Sequence, residues 1–256
     1  MTDNDASVWR SRTILLYGDD GAERIAASSV LVAGLGAVGS AAVEALARSG
    51  VGSLTLVDFD VVEPSNINRQ LCALRSTIGQ PKTEIVAARV ADINPSCRIA
   101  AVRDRIPADI AEARTFLAAL PRPDVVIDAI DDVEAKAALI SAALADGIPV
   151  VSSMGAARRF DPTKIRTGVL GDVTGCPLAK ALRRALRAKI ASVEESGYAP
   201  PIPDPSGVMC VYSAEPPAKQ SAVKANEPRA MGSSMCVTAT FGMSAAYAAI
   251  GRLFAD

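Results

Sequence analysis

VLVAGLGAVGS at residues 30–40 and LTLVDFDVVEPSNINRQ at residues 54–70 decide the fold of this chain. In the first stretch a short apolar strand runs into three glycines and then a helix of small residues. Gly34 permits the tight turn, Gly36 lets the backbone approach a phosphate, and Gly39 lets the helix pack on the strand. The second stretch reads as the next strand of the same unit. Together they predict a nucleotide-binding strand–turn–helix–strand unit.

Polar residues surround this predicted turn. Ala37 opens a helix whose N-terminus favours an anion, and Asp58 ends the second strand, where a carboxylate can bind a ribose hydroxyl. The other residues that we assign to the nucleotide are Asp60, Asn66, Asn68, Arg69, Gln70, Lys82, Asp128 and Asp131. They supply two cations for a polyphosphate, amides to orient it, and carboxylates for Mg²⁺. The set predicts ATP rather than NAD, while Asp128 as metal ligand or as support of its turn stays open.

Strand and helix patterns alternate along the first 153 residues. The predicted strands are 29–33, 53–57, 98–102, 124–128 and 149–153, and the predicted helices are 11–27, 38–49, 82–93, 107–119 and 133–146. Continuous β-branched runs are typical of buried parallel strands. We therefore predict an α/β fold with a doubly wound, mostly parallel Rossmann-like sheet and helices on both faces. We predict that residues 1–153 form the ATP-binding core, with an N-terminal helix to which the family resemblance given below assigns a dimer contact.

The remainder of the chain is predicted to complete the substrate side of the same domain. Residues 154–256 contain a candidate strand at 164–170, a basic helix at 177–192 and a closing helix at 235–253. The stretch 196–234 is rich in Pro, Gly and Ser, which indicates a mobile segment or a functional lid. Residues 231–254 are largely apolar, and we favour a buried core helix over a membrane span because their hydrophobicity is modest.

The amino-acid composition limits the kinds of catalytic and metal site that the chain can contain. Charge is nearly balanced, with 27 basic and 28 acidic residues, and histidine is absent. This excludes triads and metal sites that need an imidazole. The five scattered cysteines fit a reducing cytosol and give no zinc pattern. The N-terminus also lacks the apolar core of a secretory signal, so we expect a cytoplasmic protein. The cysteine spacing leads us to expect no zinc. Peripheral association with a membrane stays open.

The sequence resembles the ubiquitin-activating-enzyme-like, ATP-dependent adenylyltransferases. The motifs GLGAVG, LVDFDVVEPSNINRQ, GQPKTE, INP and DAIDD carry the resemblance over residues 12 to about 150. It implies that ATP lies over the glycine turn with its ribose on Asp58. The residues that it places at the phosphates are Asn66, Arg69, Gln70 and Lys82. It also implies that Asp131 holds Mg²⁺ and that Arg12, rather than Arg10, reaches into the ATP site of a partner subunit, so the protein would be a homodimer.

Within that family the chain most resembles the branch that dehydrates threonylcarbamoyladenosine in tRNA. LYG, NINRQLCALRSTIGQPK, DPTKI, VMCVYSAE and VTATFG carry this resemblance along nearly the whole chain. It implies adenylation of the threonine carboxylate beside the anticodon and intramolecular ring closure. The candidate residues of the substrate pocket are Cys210, Ser213 and Glu215. Cys210 could also be a buried thiol with a structural role. A monovalent-cation site stays open.

Other functions also stay open. The chain could adenylate the C-terminus of a ubiquitin-like sulfur-carrier protein, although it lacks the two Cys-x-x-C pairs that many such relatives use to bind zinc. A nucleotide-binding scaffold and an NAD oxidoreductase explain fewer of the polar residues. Cys176, at a helix start beside basic residues, is a candidate nucleophile or a structural thiol.

A basic helix and a preceding loop are candidates for binding tRNA. Their cations are Arg158, Arg159, Lys180, Arg183, Arg184 and Arg187. Residues three and four apart share a helix face, and cations on one face can bind phosphates. The alternative is an ordinary solvated face.

Overall fold

The structure, a computed structural model, describes residues 3–196, 202–219 and 231–254, with side chains for 8–192, 202–219 and 231–254. Within these residues seven strands form a single sheet in the order β3-β2-β1-β4-β5-β7-β6. The strands are β1 (Ser29–Ala33), β2 (Ser53–Val57), β3 (Arg98–Val102), β4 (Val125–Asp128), β5 (Val150–Ser153), β6 (Ile165–Val169) and β7 (Met209–Ser213). All neighbours pair in parallel except β6 with β7.

Helices cover both faces of the sheet. They are α1 (Asp3–Ala27), α2 (Gly39–Ser49), α3 (Lys82–Ile93), α4 (Ile110–Ala118), α5 (Val133–Ala145), α6 (Pro177–Ser196) and α7 (Met235–Leu253). One apolar core packs α2, α3 and α7 against the sheet, and a second core packs α4, α5 and α6 on the opposite face. Val32 of β1, flanked by Leu56 of β2 and Ile127 of β4, is fully buried, as expected of a central parallel strand.

The predicted fold class is confirmed, and the first five strands end within one residue of their predicted bounds. Several features differ, among them α4, which begins at Ile110 and not at residue 107, and α6, which extends to Ser196. Gly18 breaks α1 at the predicted place, with φ 72°, but the helix begins at Asp3. Residues Met209–Ser213, within the stretch 196–234 that was predicted to be mobile or a lid, form β7 and pair with β5. The division at residue 153 stays a prediction, and residues 197–201 and 220–230 of the expected mobile stretch lie outside the described residues.

Helix α7 packs in the core. Phe241, Ala245 and Ala249 are fully buried, and the helix contacts α2 along its length. This confirms the preferred prediction for residues 231–254. In the described part of the chain we find no helix with the length and apolar character that crossing a bilayer requires.

Candidate active site

The glycine turn lies between β1 and α2 with the predicted geometry. Gly34 has φ 87°, which a residue with a side chain rarely adopts. A β-carbon added at Gly39 would lie 1.7 Å from the carbonyl oxygen of Gly34, so the helix approaches the strand closely there. At Gly36 the nearest atom would be 3.8 Å away, on Gln70. Gly39 is therefore a packing residue, whereas Gly36 and Ala37 face the adjoining cleft.

Asp58 connects the end of β2 to this turn. Its Oδ2 accepts a hydrogen bond of 2.6 Å from the backbone N–H of Leu35, and its Oδ1 accepts one of 2.8 Å from Asp60. The residue is only 8 % exposed but lines the cleft. The two bonds fix the orientation of the carboxylate at the position predicted for a ribose contact.

The long connection between β2 and α3 closes on itself beside the turn. Val61 pairs with Pro81, and the N–H of Lys82 donates to the carbonyl of Asp60 over 3.1 Å. The Lys82 side chain is 6 % exposed and its Nζ lies 3.0 Å from Oδ2 of Asp60. A buried ammonium with a single carboxylate partner at the start of a helix is well placed to stabilise a phosphate.

Three of the remaining polar residues on this connection reach the cleft. Arg69, Asn66 and Gln70 line it, and Nη1 of Arg69 is held by the carbonyl of Ser65 and by Oδ1 of Asn68. Asn68 does not line the cleft, because its amide donates instead to the carbonyl of Ser233 over 3.0 Å. Asn68 therefore orients Arg69, and its predicted direct contact with the nucleotide is not evident in the structure.

The two carboxylates after β4 take different positions. Asp131 is exposed and lines the cleft. Asp128 has no exposed surface; it pairs with Lys136 over 2.7 Å and accepts a 2.6 Å hydrogen bond from Ser152. Asp128 thus supports the turn, which is one of the two roles left open for it, and unlike Asp131 it does not line the cleft.

Together these elements enclose a cleft of about 800 Å³ at the carboxyl ends of the strands. The predicted residues that line it are Gly34, Gly36, Ala37, Asp58, Asp60, Asn66, Arg69, Gln70, Lys82 and Asp131. Ligands of open parallel sheets bind at this edge. Arg12 lies elsewhere, exposed on α1, and is not part of the cleft of its own subunit.

One wall of the cleft was missed in the sequence. The connection after β3 contributes Asp104, Arg105 and Ile106, and the guanidinium carbon of Arg105 lies 3.3 Å from the ring centroid of Phe59. A cation over an aromatic face is attractive. The sequence could have indicated these residues, because the connection follows the carboxyl end of a predicted strand, as the other cleft residues do.

The candidate substrate-pocket residues lie outside this cleft. Cys210 is fully buried in β7, and burial raises the pKa of its thiol to about 12. Ser213 is 2 % exposed and accepts a hydrogen bond from the N–H of Glu215. Oε2 of Glu215 in turn accepts hydrogen bonds from the N–H groups of Phe160 and Asp161. The structure therefore gives all three residues contacts within the fold.

The candidate tRNA-binding cations divide into two groups. Lys180, Arg184 and Arg187 are exposed on α6, whereas Nη1 of Arg183 donates to the carbonyls of Leu170 and Val173. Arg158 is half-buried, and Arg159 is 3 % exposed. Burial lowers the pKa of the Arg159 guanidinium, which lies beside the Cys176 thiol. The placements of Arg183 and Arg159 differ from the solvent-facing positions that phosphate contacts require.

A sequence profile described as the ThiF family matches residues 10–250. The chain belongs to the ThiF family. This confirms the family that the motifs indicated. Among the ThiF-family relatives is the tRNA threonylcarbamoyladenosine dehydratase of Escherichia coli strain K12. It is 37 % identical over 268 residues, covering 98 % of this chain and 96 % of the relative.

Two further similarities place the chain within the ThiF family. A crystal structure of the E. coli dehydratase in complex with ATP superposes with a TM-score of 0.83 at 36 % identity, covering 96 % of this chain and 94 % of that one. The molybdopterin-synthase adenylyltransferase of E. coli strain K12 is 36 % identical over 194 residues, covering 75 % of this chain and 74 % of the relative. The dehydratase similarity extends further along the chain.

Proposed function

We propose that this chain uses ATP to cyclise threonylcarbamoyladenosine in tRNA. The observation that carries the proposal is the cleft, which gathers Lys82, Arg69 and Asp131 around the glycine turn in a fold matched by an ATP-bound dehydratase. The sequence of the E. coli tRNA threonylcarbamoyladenosine dehydratase aligns with 98 % of the chain. The chain is accordingly an ATP-using, tRNA-modifying enzyme.

The reaction needs an activated carboxylate and a correct orientation. A carboxylate oxygen of the threonine attacks the α-phosphorus of ATP and pyrophosphate leaves. An oxygen or nitrogen of the carbamoyl group in the same side chain then attacks the acyl carbon and gives up a proton as AMP leaves, so water is formally lost and no enzyme nucleophile is required. Ring closure within one molecule gains a large effective concentration from orientation alone. The protein has to stabilise the phosphate charge, which Lys82 and Arg69 supply in this proposal.

Mg²⁺ fits the residues present. Asp131 faces the cleft, and among the described residues its carboxylate has no hydrogen-bond or ion-pair partner. Mg²⁺ is usually bound through one or two carboxylates together with substrate phosphates. When bound, the ion would offset the charge of the leaving pyrophosphate. We assign Asp131 as its protein ligand.

A homodimer is part of the proposal. Arg10 cannot serve a partner site, because its Nη2 donates to the carbonyl of Ala22 within its own subunit over 2.8 Å. Arg12 is exposed, and Leu15 and Leu16 on the same helix are 77 % and 75 % exposed. Exposed apolar side chains next to one another are typical of surfaces that bind another protein. We therefore assign α1 to the interface and Arg12 to the ATP site of the partner subunit.

For tRNA we propose a phosphate-binding surface on α6 beside the cleft. Lys189 of α6 donates to the carbonyl of Ala108, which lines the cleft, and pairs with Glu134 over 2.9 Å. Lys180, Arg184 and Arg187 are exposed on a different face of α6 from Lys189, and their spacing places the three on one face of the helix. Cations that neutralise phosphates give salt-dependent affinity without reading sequence.

Adenylation of a sulfur-carrier protein is the second candidate, favoured by the similarity to the molybdopterin-synthase adenylyltransferase. ATP–pyrophosphate exchange distinguishes the two functions when measured with tRNA carrying threonylcarbamoyladenosine, with unmodified tRNA and with a sulfur-carrier protein. We expect exchange with the modified tRNA alone, and its loss in Asp131→Ala with the melting temperature unchanged. Exchange with the carrier protein alone would replace the proposal by the second candidate. The cytoplasmic location, a monovalent cation and a sulfur-carrier partner stay predictions.

A further inference from the structure

The loop after β5 presents an aromatic ring to solvent. Phe160 is 76 % exposed, whereas its neighbour Arg159 is 3 % exposed and turns into the fold. The loop leaves the carboxyl end of β5, which is also the edge of the sheet that carries the cleft. An exposed aromatic ring loses little entropy on binding, since few of its bonds rotate.

The backbone of this loop is fixed before Phe160. Arg158 is the one non-glycine residue with a positive φ, 59°, in the described part of the chain. Its N–H donates to the carbonyl of Gly232 over 2.8 Å, and its carbonyl accepts from the N–H of Ala218 over 2.9 Å. Such a conformation is costly and persists when its surroundings enforce it, often at functional sites.

The backbone is also fixed at and after Phe160. The N–H groups of Phe160 and Asp161 both donate to Oε2 of Glu215, over 3.0 and 3.1 Å. Asp161 then accepts hydrogen bonds from the N–H and the hydroxyl of Thr163. The main chain of the loop is therefore rigid while the ring of Phe160 stays in water, which is the arrangement of a stacking platform.

A short series of contacts connects the loop to the cleft. Arg158 bonds to Gly232, and the carbonyl of the next residue, Ser233, accepts from Asn68. Asn68 in turn holds the guanidinium of Arg69, which lines the cleft. The loop that carries Phe160 is therefore linked through Asn68 to the side of the cleft that Arg69 lines.

The charge around the ring suits RNA. Lys164 is exposed on the chain that follows, and Arg158 precedes the ring; Arg166 is also exposed, but its Nη1 donates to the carbonyls of Thr163 and Ile165. The carboxylates of Asp161 and of Glu215, which follows β7, accept the hydrogen bonds above and are held against the backbone of the loop. A ring with neighbouring cations is the combination with which proteins bind unpaired nucleotides, since bases stack on the ring and phosphates meet the cations.

We propose that Phe160 stacks against an unpaired base of the tRNA loop that carries the modified adenosine. The proposal rests on the function proposed above, because that function brings a single-stranded RNA segment to the cleft. Stacking would hold the loop beside the cleft while the cations of α6 bind phosphates elsewhere. Phe160 is thus a substrate-binding residue with no part in the chemistry.

The test compares an RNA stem-loop carrying threonylcarbamoyladenosine with the free modified nucleoside. Removing a stacking aromatic typically costs 5- to 150-fold in affinity, roughly, for the base concerned. We expect Phe160→Ala to lower kcat/KM for the stem-loop by about that factor and to leave the nucleoside unaffected. Phe160→Trp keeps a ring and should retain activity. Tyr247→Ala, which removes an aromatic residue that is 72 % exposed on α7, is the matched control.

Direct binding of the stem-loop, followed by fluorescence anisotropy, separates this proposal from the proposed function. Failure of the wild-type protein to turn over the stem-loop would remove the proposed function, and the Kd values of wild type and Phe160→Ala would still decide the stacking. Equal Kd values would overturn it. A change in oligomeric mass in Phe160→Ala would also overturn it, because the ring would then contact a second copy.

Discussion

Nζ of Lys136 lies 2.7 Å from Oδ2 of Asp128, and neither side chain has exposed surface. Lys136 also donates to the carbonyl of Ile130, and Asp128 accepts from the N–H of the same residue. The pair therefore holds the turn that carries Asp131 into the cleft. Since burying two charges is costly, we interpret the pair as a support for the position of Asp131.

Removing one member of this pair leaves an unpaired buried charge. Lys136→Met should therefore lower the free energy of unfolding by about 3–5 kcal/mol and weaken adenylation in the remaining folded protein. The double variant Lys136→Met/Asp128→Leu should recover much of the stability but not the activity. Urea unfolding and pyrophosphate exchange measure the two effects.

The matched control is Arg114→Met, which breaks a part-exposed pair with Asp146 and should cost under about 1 kcal/mol. Equal losses in the two single variants would contradict this interpretation.

Two glycines of the turn should respond differently to alanine. Gly39→Ala places a β-carbon 1.7 Å from the carbonyl oxygen of Gly34, so the turn must deform and stability should fall. Gly36→Ala meets no atom closer than 3.8 Å in the free protein, so its melting temperature should stay near that of wild type. Its affinity for ATP should fall, because the added carbon occupies the approach of a phosphate. Calorimetry of ATP binding together with thermal melting checks both, and unchanged ATP affinity in Gly36→Ala would oppose the assignment of the turn.

Glu44 of α2 makes stability depend on pH. Burial raises its pKa, but hydrogen bonds from Arg89 and Arg48 outweigh this, so the pKa of Glu44 is lowered from its ordinary value. A lowered folded pKa gives stability that is present above the unfolded pKa and is lost as the pH falls through the folded value. Glu44→Gln should thus be less stable than wild type at neutral pH, and the gap should narrow as the pH falls below the ordinary pKa of a glutamate, about 4.3. Urea unfolding across this range is the measurement, with the exposed Glu84→Gln as control; a constant gap would argue against the effect.

Thiol reactivity should be confined to Cys236. It is the one exposed cysteine, whereas the other four are buried. Burial raises the pKa of the Cys210 thiol to about 12 and that of Cys97 to about 11, so neither forms the reactive thiolate near neutral pH. Iodoacetamide should label Cys236 alone in the folded protein, as read by peptide mass spectrometry, and Cys236→Ser should retain activity. Rapid labelling of Cys176 accompanied by loss of activity would instead support a covalent role for that residue.

The parts of the molecule that the sequence predicted are those with local signals. Gly34, Gly39 and Asp58 act within one strand–turn–helix–strand unit, where spacing along the chain determines geometry. Arg69 and Lys82 lie further along but return to the same turn because Val61 pairs with Pro81. Ten of the predicted nucleotide residues consequently line one cleft.

Features that depend on distant contacts were not predictable in this way. Asp128 could be a ligand or a support until Lys136, on the next helix, was seen to pair with it. Arg183 has the helical spacing of a phosphate-binding cation, yet nearby carbonyls of the chain bind its guanidinium. Glu215 was placed in a substrate pocket by resemblance, and its partners Phe160 and Asp161 lie more than fifty residues away in the sequence.

In the proposed reaction the threonine carboxylate becomes joined to AMP before the ring closes. A stem-loop whose threonine carboxylate is labelled with ¹⁸O tests it directly when the nucleotide product is analysed by mass spectrometry. The oxygen that attacks the α-phosphorus departs with AMP, so we expect AMP that carries one ¹⁸O atom. Unlabelled AMP, or ADP and phosphate in its place, would contradict the account.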